Sequence, residues 1–286
     1  MFSRFVFHPA STGPGLHAGR DFHPWSLPMY RRLASFLVIA VLALPLSASA
    51  ADGSLKVKFK LGGAAPTPAK LKIDKDAEFC APKMLVDESL KTGASGELQN
   101  IVMWMYVAPG KKAPESAGAI AALAKEVKVD NLGCRYEPRV TLLHTSQTLI
   151  IGNPDPIGHN SKGDTFANPA FNELIPAGGS TKKTFAKTES RPMPLACNIH
   201  PWMSGWLLVR DNPYFGVSND KGELTIKNVP EGKHTFVIWQ EKGGFVVKGT
   251  KAGKTSEWKN GRIEVEVKGD TDLGEFTIPL EVLNKK

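Results

Sequence analysis

Three residues of unlike chemistry stand close together in the stretch Leu195-Ala196-Cys197-Asn198-Ile199-His200-Pro201-Trp202-Met203. A thiol, an imidazole and a thioether follow one another at Cys-x2-His-x2-Met spacing, so a tight turn can aim all three at one point. A second imidazole has to arrive from elsewhere, and His159, in Pro156-Ile157-Gly158-His159-Asn160, offers one. Two His, one Cys and a weak Met suit a copper ion that moves between Cu(I) and Cu(II). Thiolate and thioether favour Cu(I), while imidazole tolerates both states. Zinc would more often add a carboxylate or water to Cys and His and gains little from Met.

At these residues the sequence resembles the cupredoxins, and the short Cys-x2-His-Pro-aromatic-Met loop is similar to that of the amicyanins. The upstream Asn153-x-Asp155-x3-His159-Asn160 strengthens the likeness. The resemblance implies a strong ligand set of His159, Cys197 and His200 with Met203 as the weak axial ligand of one type 1 copper. It implies that Asn160 braces the Cys-bearing loop. It also implies that His200 is the electron port, its edge exposed by the turn beside apolar Pro201 and Trp202. Ser146-Gln147-Thr148 departs mildly from the family, which usually has Gly before Gln-Thr.

The elements that must hold these residues read as strands. Ile101–Val107 is a near-continuous apolar run, as in a buried strand, and its Met103 and Met105 read as core. Cys134 to Leu142 and Leu149-Ile150-Ile151 lead towards His159. Asn160–Gly179 is expected as a long loop over one face. Thr181–Ala186 and Met193–Ala196 flank the ligand turn, and Trp206–Val209 is the strand after it. Ser116 to Lys128 is expected to be a helix. A lone His near a strand end is most often an exposed polar residue, which is the expectation for His144.

Residues 51–95 form an N-terminal β extension. Leu55, Val57, Phe59 and Leu61 alternate there with polar residues, and Leu71-Lys72-Ile73 resumes the alternation. Either the edge of a second sandwich or a strand added to the cupredoxin fits this stretch. After Asp211-Asn212-Pro213 a second unit of short strands follows, with a hairpin turn at Asn219–Gly222. Its Val-Pro-x-Gly-x-His-x-Phe pattern resembles the carboxypeptidase-regulatory, transthyretin-like domain. The fold class is therefore all-β, with a Greek-key cupredoxin β-sandwich over 96–210 and a small antiparallel β-sandwich over 211–286. His234 is expected to be structural.

Met29-Tyr30-Arg31-Arg32, the apolar run Leu33–Leu44 and Ser47-Ala48-Ser49-Ala50 have the order of a secretory signal peptide over 29–50, cleaved near Ala50. Residues 1–28 read as a mis-assigned start. Losing residues 1–50 takes four arginines and one aspartate from a net charge of +8 and leaves a mildly basic chain. No Lys/Arg cluster or aromatic platform points to nucleic acid, and no later stretch is apolar enough to span a membrane. A periplasmic or secreted protein should pair its thiols, and three Cys leave one over. If Cys197 is the metal ligand, Cys80 and Cys134 form the disulfide; the alternative pairs Cys197 with one of them.

These readings imply a carrier of single electrons between a redox protein donor and acceptor, and not an enzyme. Only His144, His159, His200 and His234 follow the signal peptide. That is too few for a multicopper oxidase or a copper nitrite reductase. Two alternatives remain: a copper carrier or storage protein, and a surface interaction module with a non-redox metal site.

Overall fold

The structure is a computed structural model that describes residues 52–284. The expected signal peptide and the upstream segment lie outside the described residues. The chain is nearly all β, as its alternating patterns predict. In the first strand, Gly53–Gly62, Leu55, Val57, Phe59 and Leu61 are buried while the lysines between them keep contact with water. That strand pairs antiparallel with Glu223–Val229 and parallel with Thr271–Pro279. The hairpin Lys248–Lys251 and Lys254–Glu257 extends the sheet beyond Thr271–Pro279. Facing it is a second sheet of Phe215–Val217, Val102–Met105, Gly232–Gln240 and Gly244–Phe245, with Arg262–Val267 also paired to Gly232–Gln240. Phe59, Leu98, Met103, Tyr214, Phe236 and Ile238 fill the core between them.

This outer sandwich differs from the expected division of the chain at 96 and 211. It takes strands from both ends of the described chain, so Gly53–Gly62 and Val102–Met105 belong with 215–279. The physical reason lies in the run Ile101–Met105. Alternate residues of a strand point to opposite faces. Ile101, Met103 and Met105 enter the outer core, whereas Val102 and Trp104 enter a separate apolar layer with Val140, Leu208, Val237 and Trp239. The run is apolar throughout because both of its faces are buried. The turn at Asn219–Gly222 is also not a hairpin within one sheet, since the strands it joins lie in facing sheets.

The central sandwich lies between these two contributions in sequence. One sheet runs Val140–His144, Ser204–Arg210, Met193–Ala196, His159–Gly163, Phe171–Ile175, and the other Tyr136–Glu137, Glu126–Asn131, Thr148–Gly152, Ser180–Thr184. Val140–His144 lies parallel to Ser204–Arg210, and Glu126–Asn131 parallel to Thr148–Gly152. Val129, Leu143, Leu149, Ile151, Met193 and Leu207 are fully buried in its core. A polar clamp joins the sandwiches: Arg139 Nε and Nη2 donate to Glu241 at 2.7 and 2.9 Å, and Trp206 Nε1 donates to the same carboxylate at 2.6 Å.

Three local expectations are corrected. The helix covers only Ala117–Ala121, capped by Ser116 Oγ accepting from Ala119 N at 3.0 Å. Val127 and Val129 then pull the chain into an extended pairing with Thr148–Gly152. The stretch 160–179 is not a loop but mostly a hairpin of His159–Gly163 and Phe171–Ile175. Leu71–Ile73 forms no strand; Lys70 makes only an isolated bridge to Val86.

Phe59 is completely buried, whereas Leu174 is 71% exposed. Phe59→Ala is expected to cost about 3–5 kcal/mol and Leu174→Ala close to nothing. Urea unfolding of the two variants checks this, and equal midpoints would contradict the placement of Gly53–Gly62 in the outer core.

Candidate metal centre

The strands of the central sandwich deliver the expected residues to one end of one sheet. His159 opens the strand His159–Gly163, which pairs antiparallel with Met193–Ala196, so Lys162 lies opposite Ala196. Cys197 follows directly, and Ala196 pairs with Ser204 across the loop. The seven residues 197–203 must therefore turn back within one strand spacing. They do so by Met203 N donating to His200 O at 2.9 Å and Cys197 N to Met203 O at 3.3 Å.

This tight turn brings together the donors of His159, Cys197 and His200, all within 4.8 Å of one another and all buried. The His200 and His159 Nδ1 atoms are 2.9 Å apart, and Cys197 Sγ is 3.7 Å from His200 Nδ1. One ion bound tetrahedrally at ~2.0 Å to nitrogen and ~2.3 Å to sulfur would set those separations at about 3.3 and 3.5 Å. The three donors fit one metal ion. Met203 is 1% exposed and shares a core with Cys197.

The outer nitrogens of both rings meet carboxylates. His159 Nε2 lies 2.9 Å from Asp155 Oδ2, which also accepts from Cys134 N at 2.9 Å, while Asp155 Oδ1 accepts from Gly133 N at 2.7 Å. His200 Nε2 lies 2.7 Å from Asp76 Oδ2. An ionised carboxylate can only accept. Each Nε2 therefore carries the proton, and each Nδ1 keeps its lone pair for the centre. Burial holds the His159 pKa below the ordinary imidazole value, against the upward pull of Asp155, which leaves the ring neutral and able to ligate.

Asn160 contacts the Cys-bearing loop through both its backbone and its side chain. Its backbone N donates to Cys197 Sγ at 3.4 Å, and its Oδ1 accepts from Asn198 N and, at 3.3 Å, from Ile199 N. Tyr136 Oη in turn donates to Asn160 O at 3.0 Å. Asn153 organises the preceding turn, donating to Ile157 O and Ile175 O at 2.8 and 2.9 Å. Cys80 and Cys134 form a disulfide and Cys197 is a free thiol, so the alternative pairing of Cys197 falls away.

The expected exposure of the His200 edge is corrected. His200 is completely buried; Pro201 is exposed and Trp202 half-buried. Asp76 Oδ2 meets the outer nitrogen of the imidazole, and the centroid of the Trp202 ring lies 5.1 Å from that of the imidazole. His144 is buried as well, with Nδ1 2.7 Å from Ser146 Oγ. His234 Nε2 donates to Pro230 O at 2.7 Å, as a structural histidine would. The residues that spacing did not disclose are Asp76 and Asp155. Asp155 sits in a Pro-Asp-Pro loop that reads as turn chemistry. Only the pairing of Cys80 with Cys134 hints that residues near 76 lie by the site.

No protein-family model matches the chain. No curated protein matches it either. Among solved structures, a Cu(I) amicyanin mutant is 18% identical over 32% of this chain and 89% of its own, with a TM-score of 0.28. A copper-containing nitrite reductase from Thermus scotoductus SA-01 is 24% identical over 36% of this chain and 25% of its own, with a TM-score of 0.27. A purple cupredoxin from Nitrosopumilus maritimus is 19% identical over 29% and 98%, with a TM-score of 0.25. Likeness at this level carries no argument about ligand or activity, which rest on the side chains themselves.

Asn160→Ala removes the acceptor of two loop amides, at Asn198 and Ile199. Leaving such groups short of a partner should cost about 1–3 kcal/mol. Urea unfolding, with faster hydrogen exchange at those two amides than at Met203, checks the expectation.

Proposed function

We propose that this chain is an exported copper protein that carries single electrons, with His159, Cys197 and His200 as strong ligands and Met203 as the weak axial one. The observation that carries the reading is the buried convergence of two Nδ1 atoms and one free thiol, with no carboxylate among the three donors. Copper bound there supplies a one-electron Cu(II)/Cu(I) couple. The chain's own part is to hold the ligands still. Asp155 and Asp76 fix the two imidazole tautomers, Asn160 pins the loop, and the Asn160 amide points at the thiolate.

Burial also weighs between electron carriage and copper delivery. A metal ion has to be handed from ligand to ligand, which a fully buried His200 and a nearly buried Cys197 hinder. An electron can cross a few ångströms of intervening protein. Exposed Pro201 and half-buried Trp202, whose Nε1 donates to Cys134 O at 3.1 Å, form the surface we assign to donor and acceptor proteins. We read the chain as a non-enzyme because His144, which meets Ser146 through Nδ1, and His234, which donates to Pro230 O, do not join the donor cluster. The Cys80–Cys134 disulfide favours an oxidising compartment, in keeping with the periplasm. Among the described residues no helix is long and apolar enough to cross a membrane.

Copper content, visible spectrum and reduction potential of three variants test the roles. Cys197→Ser should abolish the thiolate-to-copper absorption. His159→Ala should weaken binding or open the site to outside ligands. Met203→Leu should keep copper and colour but change the potential, since the thioether bond is weak and long. Loss of metal in Met203→Leu as complete as in Cys197→Ser, or no effect in any of the three, would overturn the assignment.

A further inference from the structure

We infer that Asp76 is a positioning carboxylate for His200, and that the segment bearing it is a built cap that closes the imidazole edge. The inference rests on the copper reading above for its consequences and on geometry for its existence. Asp76 occupies the position before the helical turn Ala77–Cys80, where an aspartate side chain normally accepts from the turn's own amides. Here it makes no such bond. Its backbone is left-handed, at φ 42° and ψ 41°, which an L-residue adopts only at a cost. The carboxylate reaches His200 Nε2 at 2.7 Å instead. A residue that gives up its local partner and takes a strained backbone to reach a buried imidazole is placed there by the fold around it.

That fold is a strap over residues 69–87. Leu71 N donates to Leu85 O at 3.0 Å and Asp87 N to Ala69 O at 2.8 Å, closing the strap at its base. Ile73, Phe79 and Leu85 pack against the same core that holds Cys197 and Met203. Cys80 ties the strap covalently to Cys134. The amide of Cys134 donates to Asp155 Oδ2, the oxygen that meets His159 Nε2. One disulfide therefore anchors the carboxylates behind both imidazoles.

Two consequences follow from chemistry. A carboxylate behind a ligating imidazole fixes its tautomer and makes it a more basic ligand, and losing such a partner typically weakens metal binding 10–100-fold. Added negative charge favours Cu(II) over Cu(I). A redox partner that docks here also meets the strap or Trp202, not the His200 ring.

Three proteins decide the matter: wild type, Asp76→Asn and Asp76→Ala, each shown by near-UV circular dichroism to be folded. In the metal-free wild type, nitrogen-15 NMR should find His200 as a single Nε2–H tautomer whose proton exchanges slowly with water. Asp76→Ala should give mixed tautomers and fast exchange. With copper, competition titrations should show Cu(II) weakened at least tenfold more than Cu(I) in Asp76→Ala, which is a rise in potential of about 59 mV for one electron. Asp76→Asn, which keeps an acceptor but loses the charge, should fall between. An Asp76→Ala protein with the wild-type tautomer, exchange rate and Cu(II)/Cu(I) ratio overturns the inference. A wild type that binds no copper overturns the copper reading instead, and the metal-free NMR comparison still decides the role of Asp76.

Discussion

Two imidazole nitrogens and a thiol sulfur face one another in a space from which water is excluded, with His159 and His200 fully buried and Cys197 2% exposed. Bringing three lone-pair donors together in this way is unfavourable unless something electron-poor sits among them, because buried polar groups without partners are costly. Several hydrogen bonds keep the donors aimed inward despite that. The Asn160 side chain holds the loop amides, the Asn160 amide turns to the sulfur, and the loop closes on itself between Cys197, His200 and Met203. The outer nitrogens are taken by Asp155 and Asp76, so neither ring can turn its Nδ1 away without losing a bond to a carboxylate. The arrangement leaves three inward-facing donors that fit one metal ion.

Much of this was legible in residue order, because the candidate donors are set by local spacing. Cys197, His200 and Met203 lie on one turn, and His159 with Asn160 belongs to a strand start that adjacent pairing places beside it. The strands were legible where one face is wet, as in Gly53–Gly62, since alternation marks a half-buried strand. What could not be read were relations between distant segments. Nothing in a polar stretch such as Ile73–Glu78 marks Asp76 as the partner of a histidine 124 residues away. The burial of His200 is hidden for the same reason, because the strap that carries Asp76 is remote in sequence. The expected helix over 116–128 is overlong because Val127 fits a helical stripe and a strand alike until pairing with Leu149 decides.

The division into sandwiches is hidden from residue order for a different physical reason. Short strands reveal how they pack but not which sheet they join, and a chain can leave a sandwich and return to it. Gly53–Gly62 and Val102–Met105 pair with strands more than a hundred residues later, and those pairings bury Phe59, Met103 and Phe236 together. The central sandwich with its ligand loop is carried between them.

That placement has a mechanical consequence for the centre. Ser204–Arg210, the strand that receives the chain after Met203, sends Leu207 and Val209 into the central core and Leu208 into the layer shared with Trp104 and Trp239. Trp206 stacks on Trp239 edge to face at 4.8 Å and is tied to Glu241, which also holds Arg139. Arg139 reaches back to Ser204 O at 3.2 Å, immediately beyond the loop. One side of the ligand loop thus stands on a strand buried on both faces and clamped to the second sandwich. The other side is closed by the disulfide-tethered strap. The loop that carries Cys197 and His200 is thus restrained from both directions by parts of the chain that contribute none of the three clustered donors.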